Sequence, residues 1–344
     1  MTDHREPADR LPTIDVHAHC VPVDVMDTLR ADGGRYGIEV ADRDGRSAVL
    51  IAGRVQTRPM FPALMDLPRR LAAMDVAGVD VQVLSSWIDL TAYALEPDAG
   101  ARYARMFNEA LVATAATAPD RFRTLATVPL QAPDPAAHEL RHAVSSLGMD
   151  GVEIATTVDG RELDDPDMAP FWSAAEELRA LVVVHPYASL AGRDVSRYNL
   201  NNLVGNPAET TIATAHLVHG GVLERHPGLR VVLVHGGGFV PYQMGRWDRG
   251  YSAAADGAEE HLTRPPSDWL RQLWFDTVLH SPASLRFLVE AVGIGQVVLG
   301  SDYPFRMGDP DPVATVRAVP GLEGDDLARV LSGNLTTLLE EVRR

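Results

Sequence analysis

The chain has 344 residues, of which 46% are hydrophobic and 23% charged, and a formal net charge of −16. That size gives ample core for one large domain or two ordinary ones. The acidic balance argues against nucleic acid and anionic membrane as partners, since both demand clustered cations, but leaves open a small anionic substrate met by a few local arginines.

Residues 1–10 are polar and mixed in charge, without the apolar stretch of a secretory signal, and read as a disordered leader. Residues 11–344 read as one domain. The next apolar run ends in Ile14-Asp-Val-His-Ala-His19. In a strand, side chains two apart share a face, so His17 and His19 present two imidazoles side by side, as a bound metal ion requires. Cys20 follows and is the single cysteine, so no intrachain disulfide forms; it is expected to pack as a small hydrophobe in a cytoplasmic protein.

Residues 20–67 carry Gly33, Gly34, Gly37, Gly45 and Gly53 with several prolines. An unstructured loop that long is improbable in a compact domain, so the segment is expected to hold short structure, including a strand at 47–51. Beyond it, β-branched runs at 79–84, 124–128, 151–154, 181–184, 230–234, 274–277 and 296–299 alternate with alanine- and leucine-rich segments. Those helix candidates lie at 68–77, 99–118, 134–147, 166–178, 207–225 and 284–292. With a first strand at 13–16, eight apolar strands predict an α/β fold, a (β/α)8 TIM-like barrel with a small lid insertion after strand one. A doubly wound open sheet is the alternative, but no Gly-x-Gly-x-x-Gly follows any strand. No segment approaches the ~20 apolar residues of a membrane span.

Barrel chemistry sits at the C-terminal ends of the strands. The fifth predicted strand ends in His185-Pro186, the sixth in His235 followed by Gly236-Gly237-Gly238, and the eighth in Asp302-Tyr303-Pro304. Each has a bland reading as a hydrogen-bonded strand end or turn. Together with His17 and His19 they converge on one rim, the pattern of a catalytic metal site with an open position. Asp276, ending the seventh strand, is a candidate to fix the tautomer of a ligating imidazole. His138, His142, His216, His219, His226 and His261 read as surface or helix-end groups.

The set Asp15-Val-His-Ala-His19, Val184-His-Pro186, Val234-His-Gly-Gly-Gly238 and Gly300-Ser-Asp-Tyr-Pro-Phe305 resembles the amidohydrolase superfamily. Within it, the chain looks like the decarboxylase branch typified by 2-amino-3-carboxymuconate-6-semialdehyde decarboxylase, over roughly residues 11–339. The resemblance implies His17, His19, His185 and Asp302 as ligands of one divalent ion, zinc first and manganese second. It implies His235 as the catalytic base toward water on that ion; Asp302, near the metal, is the candidate proton donor should the substrate chelate the ion directly. It also implies Arg58 as a substrate-carboxylate ligand from the lid. Arg246, early in the helix after strand six, would be inserted into a neighbour's site, making the active unit a homodimer.

Two segments depart from that pattern, Tyr187-Ala-Ser189 and Thr277-Val-Leu-His280. They line the expected mouth, so they bear on substrate and leave the metal centre intact; His280 reads as a polar rim residue. The expected function is non-oxidative decarboxylation of an unsaturated or aromatic carboxylic acid. The alternative is a metal-dependent hydrolase or hydratase acting on a lactone or conjugated acid.

Overall fold

A computed structural model describes residues 12–43, 46–187 and 193–342. The expected leader at 1–10 and residues Ala188 and Ser189 lie outside the described residues.

Among the described residues eleven strands follow one another: β1 (Ile14–His19), β2 (Ile38–Arg43), β3 (Arg46–Ile51), β4 (Val55–Gln56), β5 (Val81–Ser85), β6 (Phe122–Ala126), β7 (Gly151–Ala155), β8 (Leu181–His185), β9 (Arg230–Leu233), β10 (Trp274–Asp276) and β11 (Val297–Val298). β1 and β5 to β11 form one parallel sheet in that order. The ring closes through backbone bonds from Val16 to Leu299, His19 to Tyr303 and Asp302 to His17, at 2.9, 2.7 and 2.8 Å. The expected barrel is therefore formed, with helices between the strands.

Parallel strands inside a ring of helices are buried on both faces, which is why Leu181-Val-Val-Val-His185 is apolar throughout until its last residue. One set of alternating side chains fills the barrel: Val83, Leu125, Val183, Val232, Val234 and Val298 pack with Ile14 and Val16. Leu335, Leu338 and Leu339 of the helix Asn334–Glu341 join this cluster beside the strand starts Ile14, Leu181 and Trp274, and so plug the N-terminal end. The opposite end is left for chemistry.

The parity of β1 changes partway along. Asp15 pairs with Gln82 and Ala18 with Leu84, three residues of β1 against two of β5. This one-residue bulge lets Ile14 and Val16 fill the core while His17 and His19, out of phase with them, also face inward. The strand thus extends past the predicted 13–16 to His19.

The insertion after β1 holds more structure than the single strand at 47–51. Helix Val23–Asp32 buries Val25, Met26 and Leu29 on one face. β2 and β3 form an antiparallel hairpin with β4 on its edge. Ile38, Val49 and Ile51 pack into the main core, which anchors this small sheet on the barrel. Helix 207–225 is two helices, Asn206–His219 and Val222–Arg225, because Gly221 between them adopts φ +70°.

Candidate metal centre

The four expected ligands come together at the open end. One ligand atom from each of His17, His19, His185 and Asp302 lies within 4.8 Å of every other, and all four residues are buried. His17 Nε2 and His19 Nε2 are 3.2 Å apart, and Asp302 Oδ1 is 3.4 and 3.3 Å from them. Two nitrogens so spaced subtend about 100° at an ion bonded at roughly 2.0–2.1 Å, close to tetrahedral.

Every imidazole is tethered through its other nitrogen. His17 Nδ1 meets Asp276 Oδ2 at 2.7 Å, His19 Nδ1 the Ser86 carbonyl at 2.9 Å and His185 Nδ1 the Pro186 carbonyl at 2.8 Å. Acceptors at all three positions hold the proton on Nδ1 and turn the Nε2 lone pairs toward one point. Asp302 Oδ1 is buried with no hydrogen-bond partner among the described residues. An orphaned carboxylate oxygen facing three imidazole lone pairs fits a divalent cation.

The charges agree. Burial pushes the Asp302 carboxyl upward, but the adjacent His17, with contacts to His19 and His235, holds it well below the usual range. Burial favours neutral His17, yet Asp302 and Asp276 outweigh it and raise the imidazole to about 9. His185 is driven well below its ordinary value by burial and by the neighbouring histidines, so it stands neutral and ready to ligate.

His235 sits beside the cluster without joining its ligand set. Its Nε2 is 3.6 Å from Asp302 Oδ2, and its buried Nδ1 has no partner among the described residues. It adopts φ +54°, as Asp302 adopts +59°, and such left-handed conformations in residues with a Cβ are strained. The turn behind it requires glycine: a Cβ on Gly238, at φ +62°, would stand 2.1 Å from the Pro207 carbonyl. Asp276 links the two halves, since its Oδ1 accepts from the Gly236 and Val278 amides at 2.8 and 3.1 Å while Oδ2 holds His17.

An aromatic wall leads outward. The Phe305 ring lies 5.2 Å from that of His19, with Phe61 and Trp87 at 5.5 and 6.3 Å from Phe305. Arg58 from the insertion lies over Trp87 and Phe305, its Nε and Nη2 bonded to Asp89 at 2.9 and 2.7 Å. The Nε–Nη2 edge of Arg58, expected to meet a substrate carboxylate only by resemblance, is therefore already used within the chain. Arg246 sits in the middle of helix Val240–Ser252, exposed, with no hydrogen bond or ion pair to another described residue. His280 is exposed at the rim. His216 and His226 are taken up by Asp164 and Glu176, away from this cluster.

Sequence reasoning missed Asp89 and Glu153. Glu153 projects into the barrel from β7, accepts from Ser85 Oγ at 2.9 Å and has Oε1 3.8 Å from His19 Nδ1; burial raises its carboxyl. A lone carboxylate within the apolar run Gly151-Val-Glu-Ile-Ala155 was the available signal.

The sequence profile of the family described as Amidohydrolase matches residues 14–339. The chain belongs to the amidohydrolase family. Among its relatives, 2-amino-3-carboxymuconate-6-semialdehyde decarboxylase from Dictyostelium discoideum is 30% identical over 328 residues, covering 95% of this chain and 91% of that protein. The crystal structure of 5-carboxyvanillate decarboxylase from Sphingomonas paucimobilis superposes with a TM-score of 0.81 at 28% identity, covering 96% of this chain and 99% of that one. A dihydroxybenzoic acid decarboxylase from Polaromonas sp., solved with bound manganese and an inhibitor, shares the fold at a TM-score of 0.76 and 22% identity, covering 97% and 98%. Within the amidohydrolase family, the chain thus resembles named decarboxylases over nearly its whole length. No helix among the described residues is long and apolar enough to cross a membrane.

Proposed function

We propose that this protein is a metal-dependent, non-oxidative decarboxylase of an unsaturated or aromatic carboxylic acid. The observation that carries the reading is the convergence of three Nδ1-tethered imidazoles and the unpartnered Asp302 Oδ1, with His235 left over beside them. His17, His19, His185 and Asp302 would hold one divalent ion, zinc in first place and manganese in second. When bound, such an ion supplies Lewis-acid polarisation of substrate oxygens and lowers the pKa of water.

The residues account for the proton. Decarboxylation breaks the bond between the carboxylate and its carbon, leaves the electron pair on that carbon and requires one proton there. His235 Nε2 lies 3.6 Å from Asp302 Oδ2, and a closing of about 0.5 Å as substrate arrives would bring the pair within proton-transfer reach. His235 then carries a role distinct from ligation, since the ligand set is complete without it. Phe305, Trp87 and Phe61 offer flat apolar surface to a conjugated system, and Arg58 stands at the far end with its Nη1 side free of Asp89. The protein acts as a cytoplasmic homodimer in this reading, with Arg246 of one copy reaching the other copy's pocket; the exposed, unpaired Arg246 supports that assignment.

The test is carbon dioxide release. Metal-loaded protein incubated anaerobically, with no nucleotide added, should liberate carbon dioxide stoichiometrically from at least one acid in a panel of hydroxybenzoates and unsaturated dicarboxylates. Hydrolysis of a lactone panel with no carbon dioxide from any acid would replace this reading with a hydrolase.

A further inference from the structure

Asp89 lies in the short turn Ile88–Leu90 after β5, and its carboxylate is given wholly to Arg58. Oδ1 accepts from Nη2 at 2.7 Å, and Oδ2 accepts from Nε at 2.9 Å and from the Arg58 backbone amide at 3.2 Å. The Asp89 side chain is 12% exposed and that of Arg58 63%. Burial is thus borne by the anion, while the cation faces the mouth. The guanidinium lies 5.3 Å from the Trp87 ring and 5.9 Å from the Phe305 ring, and Phe305 abuts His19. One aromatic ring, Phe305, therefore contacts both this ion pair and the metal cluster.

The pair has no formal net charge. Its free Nη1 side donates hydrogen bonds to a substrate oxygen, but a second anion there would share one cation with Asp89 and be repelled by it. Within the same copy of the chain the neighbouring lid cation offers no relief, because Arg54 bonds Asp159 through both Nη atoms at 3.1 and 2.9 Å. Tyr187, which departs from the family pattern, faces Arg58 and Asp89 with a phenol raised by burial and by the Asp89 charge, a neutral donor rather than a charged one.

We propose that Asp89 is a specificity-determining residue. It restricts the Arg58 end of the pocket to an uncharged oxygen substituent, so that the protein takes aromatic monocarboxylates in preference to aromatic dicarboxylates. This rests on the reading of the metal centre as a carboxylate pocket.

Binding to the metal-loaded protein, measured by calorimetry, tests it without turnover. The probes are two isosteric pairs: 3-methoxybenzoate with isophthalate, and 4-methoxybenzoate with terephthalate. Wild type should favour the methoxy partner in at least one pair. Asp89→Asn keeps the shape and an acceptor for Arg58 while removing the negative charge, and should shift that ratio toward the dicarboxylate by about tenfold or more. Asp89→Ser should do the same. Arg58→Gln leaves Asp89 uncompensated and should move the ratio about tenfold the other way. Wild-type preference for the dicarboxylates, binding of neither pair, or variants that alter both partners equally would overturn the proposal. Should binding discriminate as expected while no acid releases carbon dioxide, the decarboxylase reading fails and the selectivity stands.

Discussion

Replacing Asp276 by Asn tests the electrostatic logic of the metal centre most directly, because the change removes one charge and no volume. Oδ1 accepts from two backbone amides, Gly236 and Val278, and Oδ2 faces His17 Nδ1. The amide oxygen must take the Oδ1 place, since the flipped rotamer sets an NH2 group against two buried N–H donors and costs about 1–3 kcal/mol for each group left unpaired. The NH2 group then faces His17 Nδ1 and turns it into an acceptor, moving the proton to Nε2, where the ion must bind. Metal affinity should fall about 10–100-fold, or about 1.4–2.7 kcal/mol. The pH dependence should change as well. In the wild type His17 is raised to about 9 in the metal-free protein, so below that pH binding displaces a proton and affinity climbs about tenfold per unit. Asp276→Asn removes one of the groups that raise His17, so its slope between pH 7 and 9 should flatten. Chelator competition across that range measures both quantities. An Asp276→Asn protein that is folded and binds metal within about threefold of wild type, with the same slope, would refute the tautomer argument.

Three further outcomes are expected. His235→Ala should retain one equivalent of metal by elemental analysis while losing about 10²-fold or more in turnover, the scale of a positioned acid–base group. Gly238→Ala, which forces a Cβ against the Pro207 carbonyl at φ +62°, should lower unfolding stability in urea by about 2–4 kcal/mol, combining left-handed strain with overpacking. Mixing inactive His235→Ala and Arg246→Ala chains should restore part of the activity if Arg246 serves the neighbouring pocket; subunit exchange without recovery removes that role.

The barrel was legible because parallel strands buried on both faces leave continuous apolar runs, and the candidate ligands because each ends such a run. His185 after Leu181-Val-Val-Val and Asp302 after Val297-Val-Leu-Gly-Ser stand out as polar groups where apolar patterning stops. Asp276 was reachable for the same reason. Arg58 was placed near the mouth by resemblance, but its partner was not foreseeable: Asp89 is 31 residues away in a turn whose path depends on tertiary packing. The tether on His19 is a backbone carbonyl, Ser86, which leaves no mark on residue type. In the insertion, β2 and β4 were missed because an edge hairpin with polar outward residues carries a weaker alternation than the barrel strands.

The bulge in β1 has a practical consequence for engineering. A strand with an extra residue cannot be treated as a cassette whose side chains keep a fixed phase. Transplanting Asp15-Val-His-Ala-His19 onto a regular strand of another barrel with Val16 kept in the core phase would leave the imidazoles pointing at the surrounding helices. Transferring the binding motif together with the core-filling Ile14 and Val16 therefore means transferring the irregular pairing with β5 as well.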